Sequence, residues 1–218
     1  MPFIIECLMI ITKKNKIFPS NTYIITEGSD CIVIDPGLEK DIILNTLREH
    51  HLIPLAVMST HGHFDHIASV SEIVNEYDVP FYLHNNDLKL SQSANFFLRL
   101  AKINSKIKTP VPDVLFRNFS ESLTIKNFEI NVYNFPGHSD GSCVFQFGNN
   151  LFSGDTLYKS GLGFNNFPGE DKVKLRNSIL EIFDKFSDNS LILPGHGDSD
   201  QLGSIKVNNK SLLDFLNN

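Results

Sequence analysis

The chain has 218 residues, 41% of them hydrophobic and 20% charged, which is enough apolar material for a well-buried core and excludes disordered and collagen-like classes. That length suits one domain rather than two, so residues 1–218 read as a single domain. With 25 acidic against 19 basic residues the net charge is −6, which opposes binding to nucleic acid or to an anionic membrane surface.

Met1 to Ile11 is apolar enough to suggest a secretory leader, but Glu6 interrupts it and Lys13 and Lys14 follow it. It reads instead as an opening strand over Phe3 to Ile11. Thr22 to Thr26 and Cys31 to Asp35 are Ile- and Val-rich runs between turn residues such as Pro19, Asn21, Gly28 and Asp30, and these predict two more strands. Lys40 to His50 carries Ile42, Ile43, Leu44 and Leu47 at helical spacing, and the apolar run Leu55 to Met58 follows Pro54. Helix is followed by strand there, and the alternation repeats with a helix over Ile67 to Tyr77, a strand over Val79 to Leu83 and a more polar helix between Asn86 and Lys106.

From Val114 the pattern changes to short runs joined by tight turns: Ser122 to Ile125, Phe128 to Asn134, Cys143 to Phe147 and Leu151 to Ser153 predict an antiparallel meander. A last helix, with Ile179, Leu180, Ile182 and Phe183 on its apolar face, leads into a strand at Leu191 to Leu193, and the tail from Leu213 to Leu216 is too short for a further domain. The whole order predicts an α/β protein of two packed sheets flanked by helices. The three cysteines, Cys7, Cys31 and Cys143, are odd in number and set among apolar neighbours, which argues against a disulfide framework. No apolar run approaches the ~18–20 residues of a membrane span, so a cytoplasmic protein is expected.

The chemistry concentrates in Thr60-His61-Gly62-His63-Phe64-Asp65-His66, directly after the strand Leu55 to Met58. Three imidazoles and a carboxylate within six positions are the ligand types that zinc and related cations take, and a loop leaving a strand can aim several of them at one point. Three later segments repeat the arrangement of strand, glycine and one ligand: Pro136-Gly137-His138, Ser153-Gly154-Asp155-Thr156 and Pro194-Gly195-His196-Gly197. Each glycine allows a tight turn and close approach of the backbone to an ion. His50, His51 and His84 are left as surface or capping residues, and Cys143 as core.

His61-x-His63-x-Asp65-His66 together with His138, Asp155 and His196 resembles the metallo-β-lactamase-fold hydrolases, and in particular their glyoxalase II-like branch, over about Asn21 to Gly197. The resemblance implies a four-layer αββα sandwich with its site at one edge between the sheets. It implies two divalent metal ions, zinc first and iron or manganese as alternatives, one held by His61, His63 and His138 and the other by Asp65, His66 and His196. Asp155 would bridge them, and Asp35 in Ile34-Asp35-Pro36-Gly37 matches an acidic strand-end position that supports the site. Two such cations share a water whose pKa falls toward ~7, giving hydroxide at neutral pH, with Asp65 placed to accept a hydrogen bond from it. Asp65 and Asp155 are therefore the expected catalytic residues.

The expected substrate is a small acyl thioester. Relatives in this branch carry a basic residue near Phe164 and a helical C-terminal region that binds glutathione, whereas here the position is aromatic and the tail Leu202 to Asn218 is short. Lys159, Lys206 and Lys210 are the cations left to replace that charge. The alternatives are a persulfide dioxygenase with one iron, a lactonase, and a metal-binding protein without turnover; Asp rather than Cys or Ser at position 155 argues against most β-lactamases.

Overall fold

The computed structural model describes residues 8–164 and 169–217. The predicted opening strand is seen from Met9 onward; Phe3 to Cys7 lie outside the described residues. Its first sheet is β1 (Met9–Lys14), β2 (Asn21–Glu27), β3 (Asp30–Ile34), β4 (Ile53–Met58), β5 (Phe81–His84) and β6 (Val114–Phe116), in that spatial order. β1, β2 and β3 pair antiparallel across short connections, while β3 to β6 run parallel. Parallel neighbours need crossovers. These are α1 (Lys40–Glu49), then α2 (Phe64–Ile67) with α3 (Val70–Tyr77), then α4 (Leu88–Gln92) with α5 (Ala94–Leu100).

The second sheet holds the predicted meander, β7 (Ser120–Ile125), β8 (Phe128–Asn134), β9 (Cys143–Phe147) and β10 (Asn150–Gly154), each antiparallel to the next. α6 (Lys172–Lys185) returns the chain so that β11 (Leu191–Pro194) lies parallel to β10, and β12 (Asp200–Gln201) closes the edge. α7 (Leu202–Asn208) and α8 (Lys210–Asn217) follow.

Alternation along the strands separates the layers. Tyr23 and Ile25 of β2, Ile32 and Ile34 of β3, and Phe145 and Phe147 of β9 fill a core between the sheets. Their neighbours Ile24, Cys31 and Val33 face α1, α3 and α5, while Val144 and Leu151 face α6, α7 and α8. Three cores between four layers make the αββα sandwich.

Two predicted helices are interrupted, each for a tertiary reason. The helix expected over Ile67 to Tyr77 breaks at Ser69, whose hydroxyl donates to the Gly37 carbonyl and whose N–H donates to Pro36 at 3.1 Å, tying it to the loop after β3. The helix expected between Asn86 and Lys106 begins as a 3-10 turn over Asn85–Asp87, divides into α4 and α5 and stops at Leu100. The Asn95 side chain pins the returning segment by pairing with both the N–H and the carbonyl of Ile107 at 3.0 Å. No described helix is long and apolar enough to cross a membrane.

Candidate metal centre

All seven candidate ligands come from the C-terminal ends of strands at one edge of the sandwich. His61, His63, Asp65 and His66 follow β4, the last two on the first turn of α2; His138 follows β8, Asp155 follows β10 and His196 follows β11. They meet in three overlapping groups: His61 with His63 and His138, His61 with His66 and Asp155, and Asp65 with His66 and His196. Within each group the ligand atoms lie within 4.8 Å of one another. His63 Nδ1 and His138 Nε2 are 2.8 Å apart. Asp65 Oδ2 stands 3.2 Å from both His66 Nε2 and His196 Nε2.

Asp155 touches both ends of the cluster. Its Oδ2 is 3.9 Å from His61 Nε2, 3.5 Å from His138 Nε2 and 3.4 Å from His196 Nε2, and its Oδ1 is 3.5 Å from His66 Nε2. The approach depends on glycine, because a Cβ on Gly195 would lie 2.1 Å from Asp155 Oδ1 and 2.7 Å from the His66 ring.

Contacts behind four of the five imidazoles set which ring nitrogen faces inward. Thr60 Oγ1 donates to Asp35 Oδ2 at 2.7 Å, so toward His61 Nδ1, 3.1 Å away, it acts as acceptor, and the His61 proton sits on Nδ1. His66 Nδ1 faces the same Asp35 oxygen at 3.1 Å. His138 Nδ1 donates to the Gly163 carbonyl at 2.8 Å, with Glu170 Oε1 3.7 Å away, and His196 Nδ1 donates to Pro19 O. Four rings thus turn Nε2 toward one another, the atom that metal-binding histidines present when the other ring nitrogen faces a carboxylate, hydroxyl or carbonyl. His61 Nε2, His66 Nε2 and Asp155 Oδ1 are buried with no hydrogen-bond partner. Buried polar atoms aimed at one point are costly unless a cation satisfies them, so the donor set fits metal.

The charges agree. Burial drives His61 well below the ordinary histidine range, and the His66 ring adds to the effect. Burial would lower His66 too, but Asp65, Asp155 and Asp35 raise it well above that range. Burial raises Asp155, yet His196, His66 and His138 hold it well below the usual carboxylate range. The carboxylates call for positive charge at the centre, either protons on imidazole or cations in their place.

Asp35 lies at the end of β3, beside Thr60 and His66. It lies in left-handed backbone at φ 51° and accepts from the Thr60 N–H at 2.7 Å as well as from its hydroxyl. Asn21, read only as a turn residue, opens β2 and donates to Pro194 O and Gly197 O at 2.9 and 2.8 Å, holding the His196 loop from both sides. Sequence reasoning missed Asp87. Its buried carboxylate accepts from the N–H groups of Gly62 and Gly141 at 2.8 and 2.7 Å and from Ser139 Oγ at 2.7 Å, so one side chain sets both the His61–His63 loop and the turn after His138. Asp87 follows the end of β5, but it has no adjacent glycine like those beside His138, Asp155 and His196, so its segment carries no comparable signal.

Of the remaining histidines, His50 and His51 are exposed as expected. His84 does cap, accepting from Asn86 N at 3.3 Å, but it is buried rather than on the surface. Cys143 is core, as read, and burial pushes its thiol up. Cys31 and Cys143 are free thiols and Cys7 lies outside the described residues. Phe164 packs against Phe215 of α8, ring centroids 6.3 Å apart; Asn165 to Pro168, the next part of that motif, lie outside the described residues.

The family model of the metallo-beta-lactamase superfamily matches residues 16–196. The chain is 32% identical to a protein of Bacillus subtilis (strain 168) named "Probable metallo-hydrolase YqgX", over 82% of this chain and 85% of that one. It is 27% identical to "Hydroxyacylglutathione hydrolase GloC" of Haemophilus influenzae, over 85% and 89%. Among solved structures, BLEG-1, described as a B3 metallo-beta-lactamase, superimposes with a TM-score of 0.85 at 29% identity, covering 94% of this chain and 99% of that one. TTHA1623 "in a di-iron-bound form" gives 0.83 at 30% identity, covering 92% and 98%.

Proposed function

The chain belongs to the metallo-beta-lactamase superfamily of metallo-hydrolases, and from that premise we propose that it hydrolyses small acyl thioesters in the manner of the glyoxalase II-like branch, using two divalent cations. Zinc is the first choice, with iron or manganese as the others, since all three accept imidazole and carboxylate. One observation carries the reading: the Asp155 carboxylate reaches His61, His138 and His196 through one oxygen and His66 through the other, and so serves both ligand groups at once. The likeness to GloC supports a thioester substrate, and the likeness to TTHA1623 supports a two-metal site.

The chemistry that two cations held there would supply is polarisation of a thioester carbonyl and a water-derived nucleophile at neutral pH. His61, His63 and His138 would hold one, and Asp65, His66 and His196 the other. Asp65 lines the open side of the cluster, where its carboxylate can accept a hydrogen bond from the attacking water and orient it. Asp35 and Thr60 keep His66 and His61 in the required tautomers, and the burial of both rings excludes water from behind the site.

The test is metal content by elemental analysis, then a panel of S-lactoylglutathione, other acyl thioesters, a lactone, a cephalosporin, and glutathione persulfide with oxygen uptake. Close to two metals per chain and thioester turnover are expected, with a high KM for S-lactoylglutathione because Phe164 stands where the branch has a base. The likeness to BLEG-1 gives the cephalosporin arm its weight. Dominant lactone or β-lactam turnover overturns the reading, and so does one iron with oxygen consumed while every thioester stays intact.

A further inference from the structure

A cavity of about 580 Å³ opens over the candidate ligands, within the size range of small-molecule sites. Apart from the ligands, its walls are mainly Phe18, Phe64, Phe97, Leu100, Tyr158 and Leu162. The aromatic rings stand against the imidazoles: Phe97 lies 5.9 Å from His63, and Phe18 and Tyr158 lie 6.1 and 5.9 Å from His196, all edge to face. Phe18 in turn packs on Phe64 at 5.1 Å. Leu100, at the end of α5, is 53% exposed on the cavity wall. A large aliphatic side chain left in water beside a polar centre gains free energy when something apolar covers it.

Among the described residues no lysine or arginine lines this cavity. Two of the three cations that the sequence offers for an anionic substrate are engaged elsewhere: Lys159 faces Asp200 at 3.9 Å, and Lys206 bonds Asp188 at 2.6 Å and the Phe183 carbonyl at 2.9 Å. Arg99 and Lys102 are exposed on either side of Leu100 and Ala101 but outside the lining.

We infer that the acyl group of the substrate is an uncharged, extended apolar chain, lying between the Phe18–Phe64 pair and the Phe97–Leu100 face of α5 with its carbonyl end toward the histidines. This rests on the thioesterase reading for the reaction, but the binding site it describes can be tested apart from turnover. Each methylene that leaves water in such a site strengthens binding about fourfold.

The experiment uses the metal-loaded protein with S-acyl N-acetylcysteamine thioesters from acetyl to octanoyl, so that the leaving group is constant, small and neutral. kcat/KM should rise about fourfold per methylene over the first several carbons, through KM rather than kcat. In parallel, calorimetry with the uncleavable S-alkyl N-acetylcysteamine thioethers should show Kd falling by the same step. Leu100→Glu, at an exposed position on the cavity wall, should cost tenfold or more with the octanoyl and octyl probes, and progressively less as the chain shortens. Thioether affinity that rises with chain length while no thioester is cleaved upholds the apolar site and removes the thioesterase reading. Thioester cleavage with kcat/KM flat or falling along the series, or a Leu100→Glu variant indistinguishable from the parent on octanoyl, overturns the inference and leaves the hydrolase standing.

Discussion

The floor and the wall of the cavity are built on opposite terms. On the floor four of the five imidazoles have the outer nitrogen facing a carboxylate, hydroxyl or carbonyl, and Gly195 permits a contact that any other residue would block. On the wall Phe97 and Leu100 belong to a seven-residue helix, and Leu100 is half in water. Geometry is therefore tightly determined where bonds would be made and broken, and loosely determined where the substrate's body would rest. A fold of this kind can change what it accepts through α5 and the Phe18 loop while leaving its chemistry alone.

The contrast fails first if the floor tolerates damage. Asp155→Ala removes the carboxylate that reaches His61 and His138 on one side and His66 and His196 on the other, and should lower kcat by about 10²-fold or more, with metal content falling below two per chain and the fold intact by circular dichroism. Near-parental turnover by a folded, metal-loaded variant would falsify the two-metal mechanism. Asp35→Asn leaves the ligands in place but weakens the acceptor that faces His66 Nδ1 and fixes Thr60. A loss of about 10- to 100-fold in metal affinity is expected, read by competition with a chromophoric chelator.

Asp87→Ala sharpens the comparison because the hydrogen bonds of Asp87 go to the Gly62 and Gly141 backbone and to Ser139 rather than to a ligand side chain. It leaves three buried donors, the N–H groups of Gly62 and Gly141 and the Ser139 hydroxyl, without their acceptor, at about 1–3 kcal/mol each. Stability in urea should fall by roughly 3 kcal/mol or more, and bound metal should exchange faster because the His63 and His138 loops lose their common anchor. Unchanged urea midpoint and exchange rate would show that the floor is held by something else. At the small end, Phe18→Ala on the wall should raise KM several-fold for long acyl chains and leave kcat within about twofold. A collapse of kcat there would mean that wall and floor are one unit.

Most of the floor was legible in the sequence, since His61, His63, Asp65 and His66 fall within six positions and His138, Asp155 and His196 each follow an apolar strand and a glycine. The layer order was legible for a related reason: period-2 alternation in β2, β3 and β9 reports which face of each strand is covered on which side. What escaped was set by contacts between distant segments. Asp87 sits in a polar stretch whose local pattern does not distinguish it from Asn85 or Asn86, and only the folded approach of Gly62 and Gly141 gives it a task. The break at Ser69 has the same origin, because the helical pattern runs through it and the Gly37 carbonyl that captures its hydroxyl lies on another loop. β6 and β12, of three and two residues, are too short to carry a pattern at all.

The gathering of ligands from both sheets also governs when the centre can come into being. β3 and β4 bring Asp35 and the His61 loop, while β8, β10 and β11 bring His138, Asp155 and His196 from segments up to more than half the chain away. During synthesis the first histidines leave the ribosome long before the last, and until β11 pairs with β10 a captured ion has only part of its ligand set. Long-range contacts of this kind form late and slowly, so tight metal capture should be among the final events of folding and should act as a latch across the two sheets. Chelation would then loosen the docking of the sheets before it melts either one.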